Sequence, residues 1–481
     1  MSSVIERRAS GSAAETLARV ESARAVRPGA AVFLLTSLGG FLVSLDVSIA
    51  NSLLPAIGAD FHTADRAALS WIITGYAIVF AAVLVPAGRL ADRAGRRRVY
   101  LGGLITFGVG SALCGGAPNL PLLLSGRILQ GVGAAAASPA SLGLLLAASD
   151  ARHRSRYTAR WTGAAALGIC LGPLVGGLLT TAASWRWAFL VNVPIVLIAV
   201  TAAPRVLPET PRHPGRHLPD PIGAVLLALG AAALTLGISE ATTWGLADAR
   251  TLGCLVAGAV LATVFTRRCS RVDDPLLDLR LLKQRSFALT TITTFLYACG
   301  FFGMLLTFVL FLVGPWHLSL VQTGLALLPM GGVVVTMTTR VGDLAGAIGF
   351  RTPLAVGSGF MAAGLLLSAW VDDGSQFSWT WLVLVALIGV GIGLCYPLLG
   401  AAAVAGLHHA DLAAATAVNQ CARQIGAALG VAVAVAVLGP LNPASIGRFH
   451  ATWIVCAGFC ALAAVAASLM PRTSTALRSA Q

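Results

Sequence analysis

The sequence predicts an all-α integral membrane protein of about fourteen transmembrane helices, built as two six-helix bundles plus two additional helices. Three observations predict it. The first is the scarcity of charge. Of 481 residues, 57% are hydrophobic and 11% charged, with a mean hydropathy of +0.83, whereas a soluble protein carries roughly 25% charged residues. The second is run length. Apolar runs recur at 31–55, 69–87, 99–117, 121–146, 161–180, 186–203, 221–239, 251–266, 286–313, 320–338, 352–371, 379–403, 411–438 and 451–470. Each is close to the roughly 20 residues needed to cross a bilayer. The third is where positive charge falls. With the N-terminus inside and the connections assigned alternately, all but six of the 33 Lys and Arg lie on one side or in the two tails. Arg66, Arg186, Arg250 and Arg448 face the other side, while Arg127 and Arg423 lie within spans.

This bias places both termini in the cytoplasm. It also explains the net charge of +14 as a topology signal and argues against a nucleic-acid footprint, leaving the lipid bilayer as the implied partner. The chain divides into a cytoplasmic tail at 1–29, a bundle at 30–203, a linker with the two extra helices at 204–285, a second bundle at 286–470 and a tail at 471–481. Residues 1–29 are polar and mixed in charge, with no apolar core beside a cleavage site, so they do not read as a signal peptide. No connection is long enough for a soluble domain. The nine cysteines are scattered, mostly inside spans, without a CxxC pair or metal-ligand spacing, and read as small packing residues. The eight histidines lie mainly in tails and connections; His408-His409 reads as a solvated loop pair. No metal site and no cofactor are expected.

An internal repeat supports the two-bundle reading. GRLADRAGRR at 88–97 aligns with GDLAGAIGFR at 342–351, an offset of 254 that also carries Gly172 and Gly176 onto Gly426 and Gly430. With a four-residue slip, GVG at 131–133 meets GVG at 389–391, and Pro139 meets Pro397. Duplicated halves around a midplane site, open alternately to each side, are a recurring transporter design. The copies differ in charge: Asp92 falls opposite Gly346, Arg127 opposite Val385 and Asp46 opposite Gly300.

Four motifs carry the chemistry. In Gly88-Arg-Leu-Ala-Asp92-Arg93-Ala-Gly95-Arg96-Arg97 the glycines permit a tight turn. Asp92 can cap the next helix or pair with Arg93 and Arg96, a charged latch between helix ends; a plain positive-inside anchor would explain the arginines but not the aspartate. Arg127-Ile-Leu-Gln130-Gly131 lies some six residues inside the fourth run, where arginine costs about 2.5–3.5 kcal/mol, and Gln130 shares its face. Asp46, in Leu45-Asp46-Val-Ser-Ile-Ala-Asn51 near the middle of the first run, is the one acid well inside any run. It is the natural partner for Arg127, either as a proton-loading group or as a structural hydrogen-bonded acid. Gly168, Gly172 and Gly176 place a smooth stripe on one face of the fifth run, where a helix can approach closely, and Pro173 bends that helix.

Together these stretches resemble the major facilitator superfamily over about residues 30–470. The 88–97 segment resembles its cytoplasmic signature, and LDVSIANSLLP at 45–55 the first-helix signature of the fourteen-helix drug:proton antiporter branch. GICLGPLVGG at 168–177, including Gly177, is similar to the antiporter signature found in exporters and generally missing from symporters. WRWAFLVNVP at 185–194 and RQIGAALG at 423–430 resemble the same branch. Trp185 and Trp187 there read as an interfacial aromatic anchor.

The resemblance implies a proton-coupled antiporter, not an enzyme, that exports small lipophilic compounds (a drug, antibiotic or secondary metabolite) across a bacterial cytoplasmic membrane, powered by the proton gradient and acting as a monomer. It implies Asp46 and Arg127 as the coupling pair. Asn51, Tyr76, Gln130, Tyr297, Phe301, Asn419 and Arg423 are candidates for the substrate cavity, Arg423 being either a substrate contact or a snorkelling cation. Cation exporters of that branch tend to carry another acid in the second half. Here the later runs have none, with Asp372 and Asp373 in a loop, so neutral or weakly acidic lipophilic compounds fit at least as well. A uniporter or symporter is disfavoured by the fifth-run motif. A lipid-modifying membrane enzyme would need a His/Asp/Glu cluster that the chain lacks.

Overall fold

The computed structural model describes residues 29–62, 66–149, 154–209, 220–272, 275–370, 378–407, 412–439 and 446–471. The two tails, Asp372, Asp373, His408 and His409 lie outside them. Fourteen long helices follow the fourteen apolar runs: α1 (Ala30–Asp60), α2 (Arg66–Ala94), α3 (Arg96–Gly115), α4 (Leu120–Ala147), α5 (Arg154–Ala182), α6 (Trp185–Val206), α7 (Pro221–Ser239), α8 (Ala249–Cys269), α9 (Arg285–Val313), α10 (Leu320–Ile348), α11 (Arg351–Ser368), α12 (Trp379–Val404), α13 (Leu412–Leu438) and α14 (Ile446–Ser468). Twelve are long and apolar enough to cross a membrane, and α5 makes thirteen when its two bent segments count as one. The run expected at 352–371 stops earlier, at Ser368; α11 has 18 residues, opens on Arg351 and falls outside that set.

Helix ends follow the local chemistry. Asn119 caps α4 by accepting from the Leu122 amide at 3.0 Å, with a proline in the first turn. Ser319 and Gln322 form a reciprocal capping box at the start of α10, satisfying two amide donors that the helix leaves open. Between α2 and α3, Gly95 turns the chain at φ +104°, and Gly349 does so between α10 and α11 at φ +80°. A side chain is disfavoured at both angles, which explains why this glycine recurs in the repeat.

The packing repeats as well. Helix α1 lies on α5, α2 on α4, α3 on α4 and α6; correspondingly α9 lies on α13, α10 on α12, α11 on α12 and α14. The broadest contacts between the two sets are α5 with α10 and α2 with α13. Helices α7 and α8 pair with each other, and α7 leans on α2 and α13. Their outer faces carry exposed Ile222, Leu229, Val256 and Val260, as expected of surfaces solvated by lipid.

One ion pair fastens the α7–α8 pair. Asp220, buried at the start of α7, accepts from Arg268 Nε at 2.5 Å and Nη2 at 3.0 Å. The Arg268 hydrogen bonds hold its carboxyl below the ordinary value of 3.8. Because that value is lower folded than unfolded, the pair stabilises the fold above the ordinary carboxylate range and ceases to do so as pH falls through the depressed value. Asp220→Asn is therefore expected to lower the thermal midpoint of the purified protein at neutral pH and to leave less of it to be lost on acidification; coincident melting curves at pH 7 would remove this role.

Candidate functional site

The centre of the first set of helices holds a cluster of polar groups with no access to water. Asp46 on α1 and Arg127 on α4 are each 1% exposed and form a direct ion pair through Arg127 Nη1 and Asp46 Oδ2. Burying either ion alone costs several kcal/mol, so such a pair persists only if its remaining hydrogen-bonding capacity is met. Most of it is met here. Gln130, one turn from Arg127, accepts from Arg127 Nη1 at 2.7 Å and donates through Nε2 to Asp46 Oδ1 at 2.9 Å. The same Nε2 donates to Ser111 on α3 at 2.7 Å, and Asn192 on α6 donates to Asp46 Oδ1 at 3.3 Å. Arg127 Nε reaches the Ile72 carbonyl of α2 at 2.8 Å, and the guanidinium lies 4.4 Å above the Tyr76 ring. Three polar atoms at this centre are buried without a hydrogen-bond partner: Arg127 Nη2, the Tyr76 hydroxyl and Asn192 Oδ1. The cluster thus draws on five helices and is incompletely satisfied, which makes it costly to keep in a low-dielectric interior.

This geometry revises two expectations. Tyr76 and Gln130 belong to the charge cluster, not to an open cavity wall, because the unpaired face of Arg127 is more strongly solvated by a ring and an amide than by empty space. Ser111 and Asn192 were not singled out from the sequence as site residues, although Asn192 lies in the quoted 185–194 stretch. Trp185 is also not an interfacial anchor: it is 3% exposed, and its indole donates to Asp60 at 3.2 Å, with Arg186 on the same carboxylate at 2.9 Å. Trp187, 53% exposed, is free to take the interfacial role.

The glycine motif of α5 faces α1. A Cβ on Gly168 would stand 2.6 Å from the Phe41 carbonyl oxygen, and one on Gly172 would stand 2.4 Å from Ser48 Cβ. At Gly176 it would meet the Ser52 hydroxyl at 2.8 Å. Pro173 has no amide to donate to the Ile169 carbonyl one turn earlier, and the helix bends by 41° between its two segments. The Ser48 hydroxyl fills that vacancy, donating to the Ile169 carbonyl at 2.6 Å. Ser48 is a third residue that the sequence does not single out. Gly177 points elsewhere, onto α10, where a Cβ would stand 2.5 Å from the Leu320 carbonyl oxygen. In the second half Gly426 and Gly430 press likewise on the backbone of α9 at Phe295 and Cys299.

At the basic end, Gly88 is half-buried near the end of α2 and Arg93 lies in its last turn. Arg96 bonds to Asp92 through Nη2 at 3.2 Å and Nε at 3.3 Å, across Gly95, and to the Gly143 carbonyl of α4 at 2.9 Å. Arg97 donates to the Leu207 carbonyl at 3.0 Å and pairs with Glu209 at 3.4 Å. These bonds tie the ends of α2, α3, α4 and α6.

The remaining candidates lie outside the charge cluster. Asn51 donates to the Val47 carbonyl of its own helix at 2.8 Å. Tyr297 stacks on Phe301 at 6.3 Å, and Phe301 lines a small cavity with Ile169, Met330, Val334, Ile392 and Tyr396. Asn419 donates to the Leu399 carbonyl at 3.4 Å, and Arg423 lies over the Tyr396 ring at 5.2 Å. Among the described residues no cluster of His, Cys, Asp and Glu could hold a metal ion.

A family profile described as the Major Facilitator Superfamily matches residues 36–431. The chain belongs to this superfamily. It is a membrane transporter and not an enzyme. Among similar proteins, multidrug resistance protein Stp of Mycobacterium tuberculosis is 33% identical over 84% of this chain and 74% of its own length. The tetracenomycin C resistance and export protein of Streptomyces glaucescens is 32% identical over 86% and 76%. The puromycin resistance protein pur8 of Streptomyces alboniger is 35% identical over 82% and 78%. Among solved structures, a D-xylose-proton symporter superposes with a TM-score of 0.66 at 16% identity, covering 92% of this chain and 98% of that one. The human organic anion transporter MFSD10 superposes at 0.62 and 19% identity, covering 91% and 99%. These superpositions establish the major facilitator fold alone.

Proposed function

We propose that this major facilitator exports small lipophilic compounds of the antibiotic type across a bacterial cytoplasmic membrane in exchange for protons, with its basic end in the cytoplasm. The observation that carries the proposal is the Asp46–Arg127 pair, a carboxylate and guanidinium sealed inside the first half with no counterpart among the described residues of the second. Such a pair has two arrangements that differ by one proton and therefore by one unit of charge. In one, Asp46 is ionised and held by Arg127. In the other, a proton replaces Arg127 at the carboxylate, and the released guanidinium turns to Gln130, the Tyr76 ring and its unpartnered neighbours. The exchange loosens the tie between α1 and α4, so loading a proton favours a different packing of the first half. The resistance and export functions named for the relatives support the cargo class, and the glycine stripe with Pro173 supports exchange over co-transport.

In this reading helices α1–α6 and α9–α14 are the moving halves, and the Asp92–Arg96 segment braces the basic end of the first. Reconstituted vesicles with an imposed pH difference test it. Uphill movement of an antibiotic panel, matched by counterflow of protons and abolished by a protonophore, is the expected result. Uphill movement persisting after both pH difference and voltage are collapsed would overturn the proposal.

A further inference from the structure

Among the described residues of the second half, Arg423 is a half-buried cation with no acid paired to it. Arg423 lies eleven residues into α13, about 16 Å along the helix at 1.5 Å per residue. Its Nε is buried without a partner, and among the described residues no carboxylate forms an ion pair with it. Asp46 is already committed to Arg127 in the other half. Arg423 is half-buried, and a partly desolvated guanidinium inside a bundle is ordinarily met by a counter-charge.

The surroundings indicate what would pair with it. Arg423 lies over Tyr396, whose ring is 5.7 Å from Phe301. Tyr396 and Phe301 share the cavity between α5, α9, α10 and α12, and no lining residue is charged. On the same face of α13, one turn before Arg423, Asn419 Oδ1 and Gln420 Oε1 are buried acceptors without partners. As it stands the void has room for about one water molecule, so a larger guest enters only when α5 and α10 part. Arg423, Asn419 and Gln420 stand outside the present lining, so a guest that reaches past Tyr396 as the helices part would place an oxyanion on Arg423 and its flat ring on Tyr396 and Phe301.

We infer that Arg423, Tyr396 and Phe301 form a cargo subsite selective for aromatic compounds bearing an anionic oxygen, a carboxylate or phenolate, and closed to lipophilic cations. The inference deepens the export reading and rests on it for its purpose. Its test needs no transport, so the two can fail separately.

The test is calorimetric binding of naphthoate, naphthamide and trimethylnaphthylammonium to the purified full-length protein. Naphthoate is expected to bind about tenfold more tightly than naphthamide, a difference of about 1.4 kcal/mol, with no binding of the cation. Arg423→Gln should reduce naphthoate to the naphthamide level while leaving naphthamide unchanged, which also shows the fold is intact. Arg423→Lys keeps the charge and should keep most of the preference. If the glutamine variant does not fold, the lysine variant carries the test. The inference is overturned if the glutamine variant retains the full preference, if the folded lysine variant has lost it, if the wild type binds the three probes alike or does not bind naphthoate, or if the cation binds most tightly. Asp46→Asn protein separates the readings: it should show the wild-type binding preference whether or not its proton-driven export is lost.

Discussion

Asparagine in place of Asp46 is expected to reduce uphill efflux to the level of empty vesicles. The amide can still receive Arg127 and Gln130 at one oxygen, so the shape of the cluster survives, but it can neither hold a negative charge nor take up a proton. What remains is a guanidinium on α4 with no counter-charge in an apolar interior. Breaking a buried pair from one side typically costs about 3–5 kcal/mol, so reduced thermal stability should accompany the loss of transport, and that raises the question of which effect caused which. The double variant Asp46→Asn with Arg127→Gln answers it. With both charges removed, the buried-ion cost disappears and the melting temperature should recover. Uphill efflux should stay absent, since no group remains to carry the proton. If efflux returns together with stability, the pair is structural and coupling lies elsewhere; wild-type efflux in the single variant would have the same meaning.

Much of this site could be read before any fold was known, for a physical reason. In a chain where 11% of residues are charged, an aspartate and an arginine deep inside apolar runs stand out because each is too costly to keep alone. Their partners do not stand out. Ser48, Ser111 and Asn192 are neutral residues of types common in membrane helices, and their importance lies in what another helix brings to them: the carbonyl orphaned by Pro173, the Gln130 amide, the Asp46 carboxylate. Tyr76 was expected at a cavity and is found beneath Arg127, because sequence periodicity identifies a helix face without saying which neighbour occupies it. Trp185 misled in the opposite direction. Aromatics at helix ends usually sit in the interface, but Asp60 offers its indole an acceptor 3.2 Å away and draws it inward. The fold itself was largely readable from run length and the one-sided distribution of arginine. One helix, α11, opens on Arg351, just before its expected run, stops short of the expected boundary at Ser368, and falls outside the set apolar enough to cross a membrane.

Two neighbouring glycines of the same motif should fail in different ways. Gly172 and Gly177 are five residues apart on α5, yet the first presses on α1 within the same half and the second on α10 in the other half. A Cβ at Gly172 meets Ser48, which also holds the bent carbonyl of Ile169. In the proposed reading α1 and α5 move together within one half, so Gly172→Ala should lower the melting temperature without favouring one state. At Gly177 the obstacle is the Leu320 backbone, and Gly324 makes the reciprocal approach to Leu174 with a built Cβ 2.5 Å from its Cα. In the proposed reading this contact exists only while α5 and α10 are closed at the end opposite the basic one. Overpacking costs about 1–3 kcal/mol, enough to displace a two-state equilibrium by about 5–150-fold. Gly177→Ala should therefore melt near the wild type but transport slowly, held with that end open. Hydrogen exchange reads the difference: faster exchange confined to the ends of α5 and α10 around Gly177 and Leu320 is expected for Gly177→Ala and not for Gly172→Ala. If Gly177→Ala instead melts as early as Gly172→Ala, with exchange raised along the whole of α1 and α5, the α5–α10 contact is part of the permanent packing and does not open during transport.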